Sequence, residues 1–465
     1  MSLAAALEIG KSGLKIYQVA TEVVSENIAN VNTPGYSRQR VVLATAPPST
    51  ANGFPLGTGV RISTVERYYD SLLQKQLVNA GTTSGYNATK AEVLAQIEPV
   101  FNEIAQEGLG TALTEFFGSW QDLTVNPTGL PERQGVISRA QVLVDQFHYV
   151  SRTLSDAVTA QNEAVVPITG DINRIVKEIA TLNGQIENTQ IVYGNANEMK
   201  DQRDYLVRQL SEQMGVKFTE NTDGTTDLYV SRGGTDYYLV QGTRYGNLSL
   251  SDPPANYTVT VHAVGGSSAV VDNAMYAASD GGKLWSTLQM RDTYIPAYSA
   301  QVDALAAALV ADVNGLHSTG FTPTGVTGIN FFNPLGVTAA TIAVNVNQTT
   351  QIAASGSATA PGDNSTAIQL AQLQDANTMS GGTTTYNNYY NGLVAQIGLD
   401  VQSAQNVTKQ DDAFMKQLKA LRDSSSGVSL DEELATLITY QRSYQASAKL
   451  VTTASEMLDV LMTMI

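Results

Sequence analysis

The sequence predicts a mainly α protein with an inserted β-rich domain, elongated and built of nested domains, with its N- and C-terminal helices paired. Two observations carry this reading, and composition bounds it. Residues 3–31 and 430–465 each place apolar or small residues at alternating steps of four and three, the seam of a helix that packs against another helix. Runs of β-type residues are confined to the middle of the chain. Only 15% of the 465 residues are charged, well below the usual quarter, and Ala, Gly, Ser, Thr, Asn and Gln carry the missing polarity.

The first seam runs Leu3, Leu7, Gly10, Leu14, Tyr17, Thr21, Val24, Ile28 and Val31. About 29 residues at 1.5 Å each make a helix of about 43 Å. Asn30, Asn32, Thr33, Pro34 and Gly35 stop it. A strand-like piece follows at 38–44, then a loop marked by Pro47, Pro48 and Pro55. Helical pattern resumes near 65 and continues to 107, weakened between 81 and 85. Residues 113–120 form an aromatic helical segment, and Asn126, Pro127 and Gly129 a turn. A long helix covers 131–189, where Pro167 and Gly170 can kink it, and another covers 201–214.

From 216 the pattern changes. The runs 227–230, 237–240 and 257–264 read as short strands, separated by Gly233-Gly234, Pro253-Pro254 and Gly265-Gly266. Helical spacing returns at 284–316, a further strand is expected at 341–349, and helical spacing then dominates from 387 to the end. The last seam is Leu430, Leu434, Leu437, Gln441, Tyr444, Ala448, Val451, Ser455, Leu458, Met462 and Ile465, with Ser429 and Glu432 placed as a capping box. The economical arrangement pairs the two termini and inserts the β material between helical arms, although a seam does not identify its partner.

Composition excludes several functions. The chain has no cysteine, which removes disulfide scaffolds, thiolate metal sites and cysteine nucleophiles. A net charge of −16 without a basic block is a poor match to a phosphate backbone, so no nucleic acid partner is expected. No window of 18 apolar residues calls for membrane insertion, and no basic block precedes the first apolar stretch as in a cleaved secretory signal. His148, His262 and His317 fit no metal-ligand spacing and read as packed or half-exposed side chains. The stretch 221–227, NTDGTTD, lacks the later Glu of a calcium loop and reads as a turn. Asp201, Arg203 and Asp204 read as helix-start capping and surface pairing. No phosphate-binding loop or nucleophile elbow is present. No catalytic residue, cofactor or metal is assigned, and the chain is read as a non-enzyme. The segment 27–39, NIANVNTPGYSRQ, is the most specific feature. Its residues leave two readings open: a helix end joined to an edge strand, or a self-assembly surface.

Residues 25–39, SENIANVNTPGYSRQ, resemble the N-terminal signature of the bacterial flagellar axial proteins, and 426–462, SGVSLDEELATLITYQRSYQASAKLVTTASEMLDVLM, resemble their C-terminal signature. Within that superfamily, 36–39 (YSRQ), 116–127, 133–147, 201–216, 288–320 and 362–374 resemble the hook-associated protein 1 family, which forms the hook–filament junction. The resemblance implies a coiled-coil axial domain from 1–60 plus 425–465. A helical domain would take 61–215 plus 284–330 and 351–424, and a β-rich outer domain 216–283 plus 331–350. It also implies a structural subunit that assembles with itself in a ring. Its other partners would be the hook protein, the next junction protein toward the filament, and an export chaperone at the C-terminal region. The location implied is the extracellular flagellum, reached without a cleaved signal peptide. Leu7, Leu14, Val24 and Ile28 would face Leu434, Leu437, Tyr444, Val451 and Leu458 of the same or a neighbouring copy, while Asn27, Asn30, Asn32, Pro34 and Tyr36 would shape the exit from the first helix. The rival readings are a hook or distal-rod axial protein and, more remotely, an exported enzyme on an axial scaffold.

Overall fold

The computed structural model describes residues 3–51, 54–103, 108–251 and 256–463. Ile465, Pro253-Pro254 and the far end of the helical pattern expected up to 107 lie outside the described residues. The chain begins with α1 (Leu3–Ala29), followed by β1 (Gln39–Thr45), β2 (Ser49–Ala51), β3 (Phe54–Leu56) and β4 (Val60–Arg67). Then come α2 (Ser71–Ile97), α3 (Leu109–Val125), α4 (Leu130–Tyr193) and α5 (Asn197–Gln213). The β-rich stretch holds β5 (Lys217–Glu220), β6 (Thr226–Arg232), β7 (Thr235–Gln241), β8 (Arg244–Tyr245), β9 (Asn247–Leu250), β10 (Val259–His262) and β11 (Ser268–Val270). The chain closes with α6 (Gly282–Gln289), α7 (Ile295–His317), α8 (Ser365–Gln372), α9 (Tyr386–Ser426) and α10 (Leu430–Thr463).

Several local outcomes differ from the sequence pattern, each for a physical reason. Val65 belongs to a strand, because β4 pairs antiparallel with β1. The helix starts only after Asp70, whose carboxylate accepts from the Leu72 and Leu73 amides. Gly81 and Gly85 do not weaken α2 but let it lie against α5: a Cβ on Gly85 would stand 2.1 Å from the Glu212 carbonyl oxygen. The 64 residues of α4 run unbroken through Pro167, giving a rod of about 96 Å. The carbonyl that Pro167 leaves without a donor belongs to exposed Glu163, where water can satisfy it. A π turn at Met290–Tyr294 joins α6 to α7. The expected strand at 341–349 is absent: Val344 makes one isolated bridge to Phe332, with no neighbouring strand to extend it. The Glu432 carboxylate reaches to Arg38 at 2.7 Å rather than closing a capping box with Ser429.

Three apolar clusters organise the body. The largest joins the end of α2, α3, the first half of α4, α7, α8 and the first half of α9 around Phe116, Trp120 and Phe147. Phe331, Phe332, Ala339, Ile342 and Val346 pack into this helical core, which corrects the grouping of 331–350 with the β-rich region. A second core places α5, α6 and the β-rich strands against the second half of α4. There β5-β6-β7-β8 form one antiparallel sheet and β11-β10-β9 another. The third is small: Leu73, Leu77 and Leu418, where α2 meets α9. Past the end of α4, Asn195 and Asn197 both donate to the Val65 carbonyl in the β1–β4 ribbon. The order along α4 is therefore helical core, β-rich core, then terminal segments. The β-rich material sits in the middle rather than at the outer end, because its sheets need the apolar face of α4 at 165–186 to bury their own.

Candidate functional site

The terminal helices α1 and α10 pair antiparallel. Gly10 lies against Val451, Gly13 against Ser447, Tyr17 against Tyr440 with ring centroids 6.1 Å apart, and Asn27 against Glu433. A Cβ on Gly10 would stand 2.6 Å from a Val451 methyl, so small residues mark the closest approach. Ala20 and Val24, in phase with this line, are buried. The observed line shares Gly10, Tyr17 and Val24 with the seam read from sequence; Leu7, Leu14 and Ile28 flank it, half-buried.

On α10, Glu433 and Ala454 are buried, and Leu437, Tyr440, Val451 and Leu458 are half-buried. Leu434 and Tyr444 are 48% and 42% exposed, more open than the other seam residues Leu437, Val451 and Leu458. Leu434 lies one residue off the inward line of Glu433, Leu437 and Tyr440, a turn of about 100° around the helix. Leu430, Ile438, Leu450, Met457 and Val460 are likewise exposed, whereas no large apolar side chain of α1 is.

The exit from α1 is organised by Asn27, which is 1% exposed and uses both ends of its amide. Its Nδ2 donates to the Gln39 carbonyl at 2.9 Å and to Glu433 Oε2 at 3.0 Å. Its Oδ1 accepts from the Gln39 amide and from the Tyr36 hydroxyl, each at 2.9 Å. Burial, with Glu26 nearby, pushes the Tyr36 phenol above its ordinary value. Asn30 ties the turn locally: its Nδ2 donates to the Glu26 carbonyl and its Oδ1 accepts from Thr33 Oγ1. Asn32 and Pro34 are exposed at the tip of the loop, and Gly35 has φ +88°, where a Cβ would be strained and would stand 3.0 Å from the Tyr205 side chain.

The residues after the loop bind the terminal pair to the body. The Arg38 guanidinium pairs with Glu433 at 2.5 Å and Glu432 at 2.7 Å, and its amide donates to the Ser426 carbonyl. The Ser37 amide donates to Asp201 Oδ2 at 2.7 Å. Arg67, from β4, forks onto Asp201 at 2.6 Å and Asp204 at 2.7 Å. Burial raises the Asp201 carboxyl above its ordinary value, against the opposing pull of Arg67. Asp201, Arg203 and Asp204 are thus buried members of the joint, not the surface pairs read from sequence. Arg422 donates to the Tyr36 carbonyl, and beside it Arg208 is pushed down to about 10 by burial and by Arg422 itself. A cleft of about 610 Å³ opens here between the 30–36 loop and the faces of α5 and α9.

The other sequence candidates have structural roles. Buried His317 bridges the Ile329 carbonyl and the Ala353 amide; His148 reaches the Ile342 carbonyl; His262 sits between Ser249 and Ser268. Asp223 in the 221–227 turn accepts from Thr225. Among the described residues no cluster of His, Asp and Glu could hold a metal ion, and no helix is long and apolar enough to cross a membrane. The side chains at this site can lock helices and carry an interface. Arg67 and Glu433 carry no signal in sequence beyond being charges beside apolar runs, and Asp201 reads there only as helix-start capping and surface pairing.

Comparison with known proteins gives the same geometry a lineage. The family described as the flagellar hook-associated protein FlgK helical domain matches residues 94–332. Flagella basal body rod protein matches 7–36, and the C-terminal family of the basal body rod FlgEFG proteins matches 422–464. Flagellar hook-associated protein 1 of Bacillus subtilis is 28% identical across 97% of this chain and 96% of its own length. The protein of the same name from Salmonella typhimurium is 28% identical across 97% of this chain and 98% of its own. The solved structure of the flagellar hook junction protein FlgK from Burkholderia pseudomallei superposes with a TM-score of 0.66 at 18% identity, covering 76% of this chain and all of that one.

Proposed function

The chain belongs to the flagellar hook-associated protein FlgK family, and on that premise we propose that it is a structural subunit of the bacterial flagellum that forms the junction between hook and filament by self-assembly. The observation that carries this reading is the match of residues 94–332, the internal helical region, to a family named for the hook-associated protein rather than for the rod. The apolar side chains exposed along α10 support an assembling role, since a helix face of this kind needs a partner that one chain does not supply.

The partners of the reading are other copies in a ring, the hook protein on one side and the next junction protein on the other. Before assembly, an export chaperone covers the C-terminal region. Leu434, Leu437, Tyr444, Val451 and Leu458 of α10, with Leu7, Leu14 and Ile28 of α1, form the assembly surface, and Val24 packs inside the helix pair that presents it; Asn27, Asn30, Asn32, Pro34 and Tyr36 shape its edge. The subunit reaches the outside of the cell unfolded and without a cleaved signal peptide, a route that the absence of cysteine suits.

Imaging flagella that carry a labelled copy tests the proposal: the expected result is one narrow band where hook meets filament. The second reading, a hook or distal-rod subunit, draws on the rod-family matches at both termini. It would be the right one if the label spread along the hook or stayed below it.

A further inference from the structure

The 610 Å³ cleft beside the 30–36 loop carries charges that one chain does not balance. Arg208 of α5 and Lys419 and Arg422 of α9 line it. Arg208 spends one donor on the neutral side chain of Gln74, at 2.6 Å. Among the described residues, neither Arg208 nor Lys419 has a carboxylate within ion-pair distance. Asp201 and Asp204, whose charge reaches Arg208, are already forked by Arg67. Arg422 has exposed Asp423 at 3.5 Å. The other acid of the cleft is Glu212, whose carboxyl is held above its ordinary value by desolvation, against the pull of Lys419 and Arg208. A half-buried guanidinium set near a second one, with no carboxylate of its own, is stabilised by an anion brought from outside.

The opposite imbalance lies on the same joint. Glu26, in the last turn of α1, and Glu198, in the first turn of α5, are both exposed. Glu198 accepts from the neutral side chain of Gln39 at 2.8 Å, and among the described residues neither acid has a cation within ion-pair distance. Their like charges act on each other: the Glu26 carboxyl stands above its ordinary value, through desolvation first and Glu198 second. Neither acid lines the cleft of its own chain. Glu198 lies two turns before Tyr205, the first α5 residue of the cleft wall, about 10 Å away along the helix axis.

Copies in a closed ring meet head to tail, so a surface of one copy faces a different surface of the next. Unlike charges on two such surfaces choose the partner and fix its register. We propose that the cleft is a docking site for a second copy of this chain, in which Arg208, Lys419 and Arg422 of one copy receive Glu26 and Glu198 of the next. This contact rests on the self-assembling subunit proposed above and adds to it the charges that set neighbour against neighbour at the joint. Asn32 and Pro34, exposed at the tip of the 30–36 loop, form the lip of the cleft. The contact therefore gives this segment the second of the two roles that its residues leave open, that of a self-assembly surface.

Lys419 and Glu26 are exposed, so reversing their charges tests the contact with little cost to folding. Lys419→Glu and Glu26→Lys should each lower the number of attached filaments about tenfold, because each sets like charges together. The double variant restores the attraction and should return to within about twofold of the unaltered protein. Unaltered attachment in both single variants, or a double variant as poor as either, overturns the contact. The chain has no native cysteine, so a copy carrying Glu26→Cys and Lys419→Cys can be linked in purified flagella with a short bismaleimide. A ladder of linked copies is the expected result, and monomer alone overturns the contact. Position in the flagellum is read separately with a labelled copy. A label away from the hook–filament boundary, together with the ladder, would sink the junction role and leave this contact standing. A band at that boundary without the ladder would do the reverse.

Discussion

Asn27 and Glu433 are 406 positions apart in the sequence, and their side chains meet at 3.0 Å with each residue 1% exposed. The last turn of the first helix is thereby fastened to the first turn of the last one. Around them the helix pair is held by glycines, alanines and half-buried aliphatic side chains. A single polar pair buried in such a seam fixes its register, since shifting one helix by a residue would leave a carboxylate and an amide without partners. Arg38 completes the arrangement by balancing the charge that Glu433 brings inside.

Replacing Asn27 tests that lock. Asn27→Ala strips partners from the Gln39 amide and carbonyl, the Tyr36 hydroxyl and Glu433 together. Buried polar groups left unsatisfied cost about 1–3 kcal/mol each before relaxation, so the terminal pair should lose at least about 2 kcal/mol. Hydrogen exchange on α1 and α10 should accelerate by one to two orders of magnitude, on the order of that energy, while α3 and α4 keep their protection. Unaltered exchange along α1 would show that the register is set elsewhere.

The close approach at Gly10 makes a second, independent prediction. Gly10→Leu drives a side chain into Val451 and Leu450, and overpacking of this kind costs about 1–3 kcal/mol. Val451→Ala alone should cost less, because Val451 is only half-buried. The double substitution should recover part of the loss from Gly10→Leu, a coupling that a denaturant-unfolding mutant cycle measures directly. Strict additivity would mean that the two helices do not touch at this level.

Much of the architecture was legible because periodicity reports burial. The alternating steps of four and three placed helices at both ends, and Gly233-Gly234 marked a hairpin turn that the β6–β7 pair uses. What was not legible depends on partners distant in sequence. The stretch 341–349 has strand-like residues but no strand beside it, so it became an irregular segment of the helical core. Leu434 and Leu437 look alike in a heptad, yet only the antiparallel packing of α1 decides which turns inward. The exit motif was legible in part: its Asn, Pro and Gly residues signalled a turn, but Arg67, Asp201 and Glu433 come from three other elements and meet only once the chain has folded.

The inward and outward faces of α10 separate folding from assembly. Leu434→Asp and Tyr444→Asp change exposed positions, so the cost to folding should be within about 0.5 kcal/mol. Under the proposed function both should still lose filament attachment. Leu437→Asp and Leu458→Asp lie on the half-buried side and should impair chaperone binding or ring incorporation and weaken the helix pair as well. Motility, filament attachment and a pull-down with the export chaperone check all four. If all four variants attach filaments and bind chaperone like the unaltered protein, α10 is not an assembly surface.

The last prediction concerns acid. His317 is fully buried between Trp120 and Phe331, and it is held in one tautomer. Its Nε2 accepts from the Ala353 amide at 2.9 Å, so Nδ1 must carry the proton and donate to the Ile329 carbonyl at 2.7 Å. Protonating Nε2 would break the first bond and place a second cation near buried Arg133. Burial is the main reason that this imidazole is pushed down to about 4, with the Ile329 carbonyl opposing and Arg133 adding to the shift. In the unfolded chain the ring takes up its proton near its ordinary 6.5. Between those two values the unfolded state binds the extra proton, so stability falls as pH falls through the window and is fully retained above it. The difference amounts to about 3 kcal/mol across the window. His317→Gln should be less stable at pH 7.5, because the smaller side chain leaves the aromatic cluster underpacked. The gap to the unaltered protein should then narrow as pH drops from 6.5 to 4, since only the latter has this proton to gain on unfolding. Denaturant unfolding of both proteins at several pH values gives the two curves, and parallel curves would show that His317 does not titrate as its surroundings require.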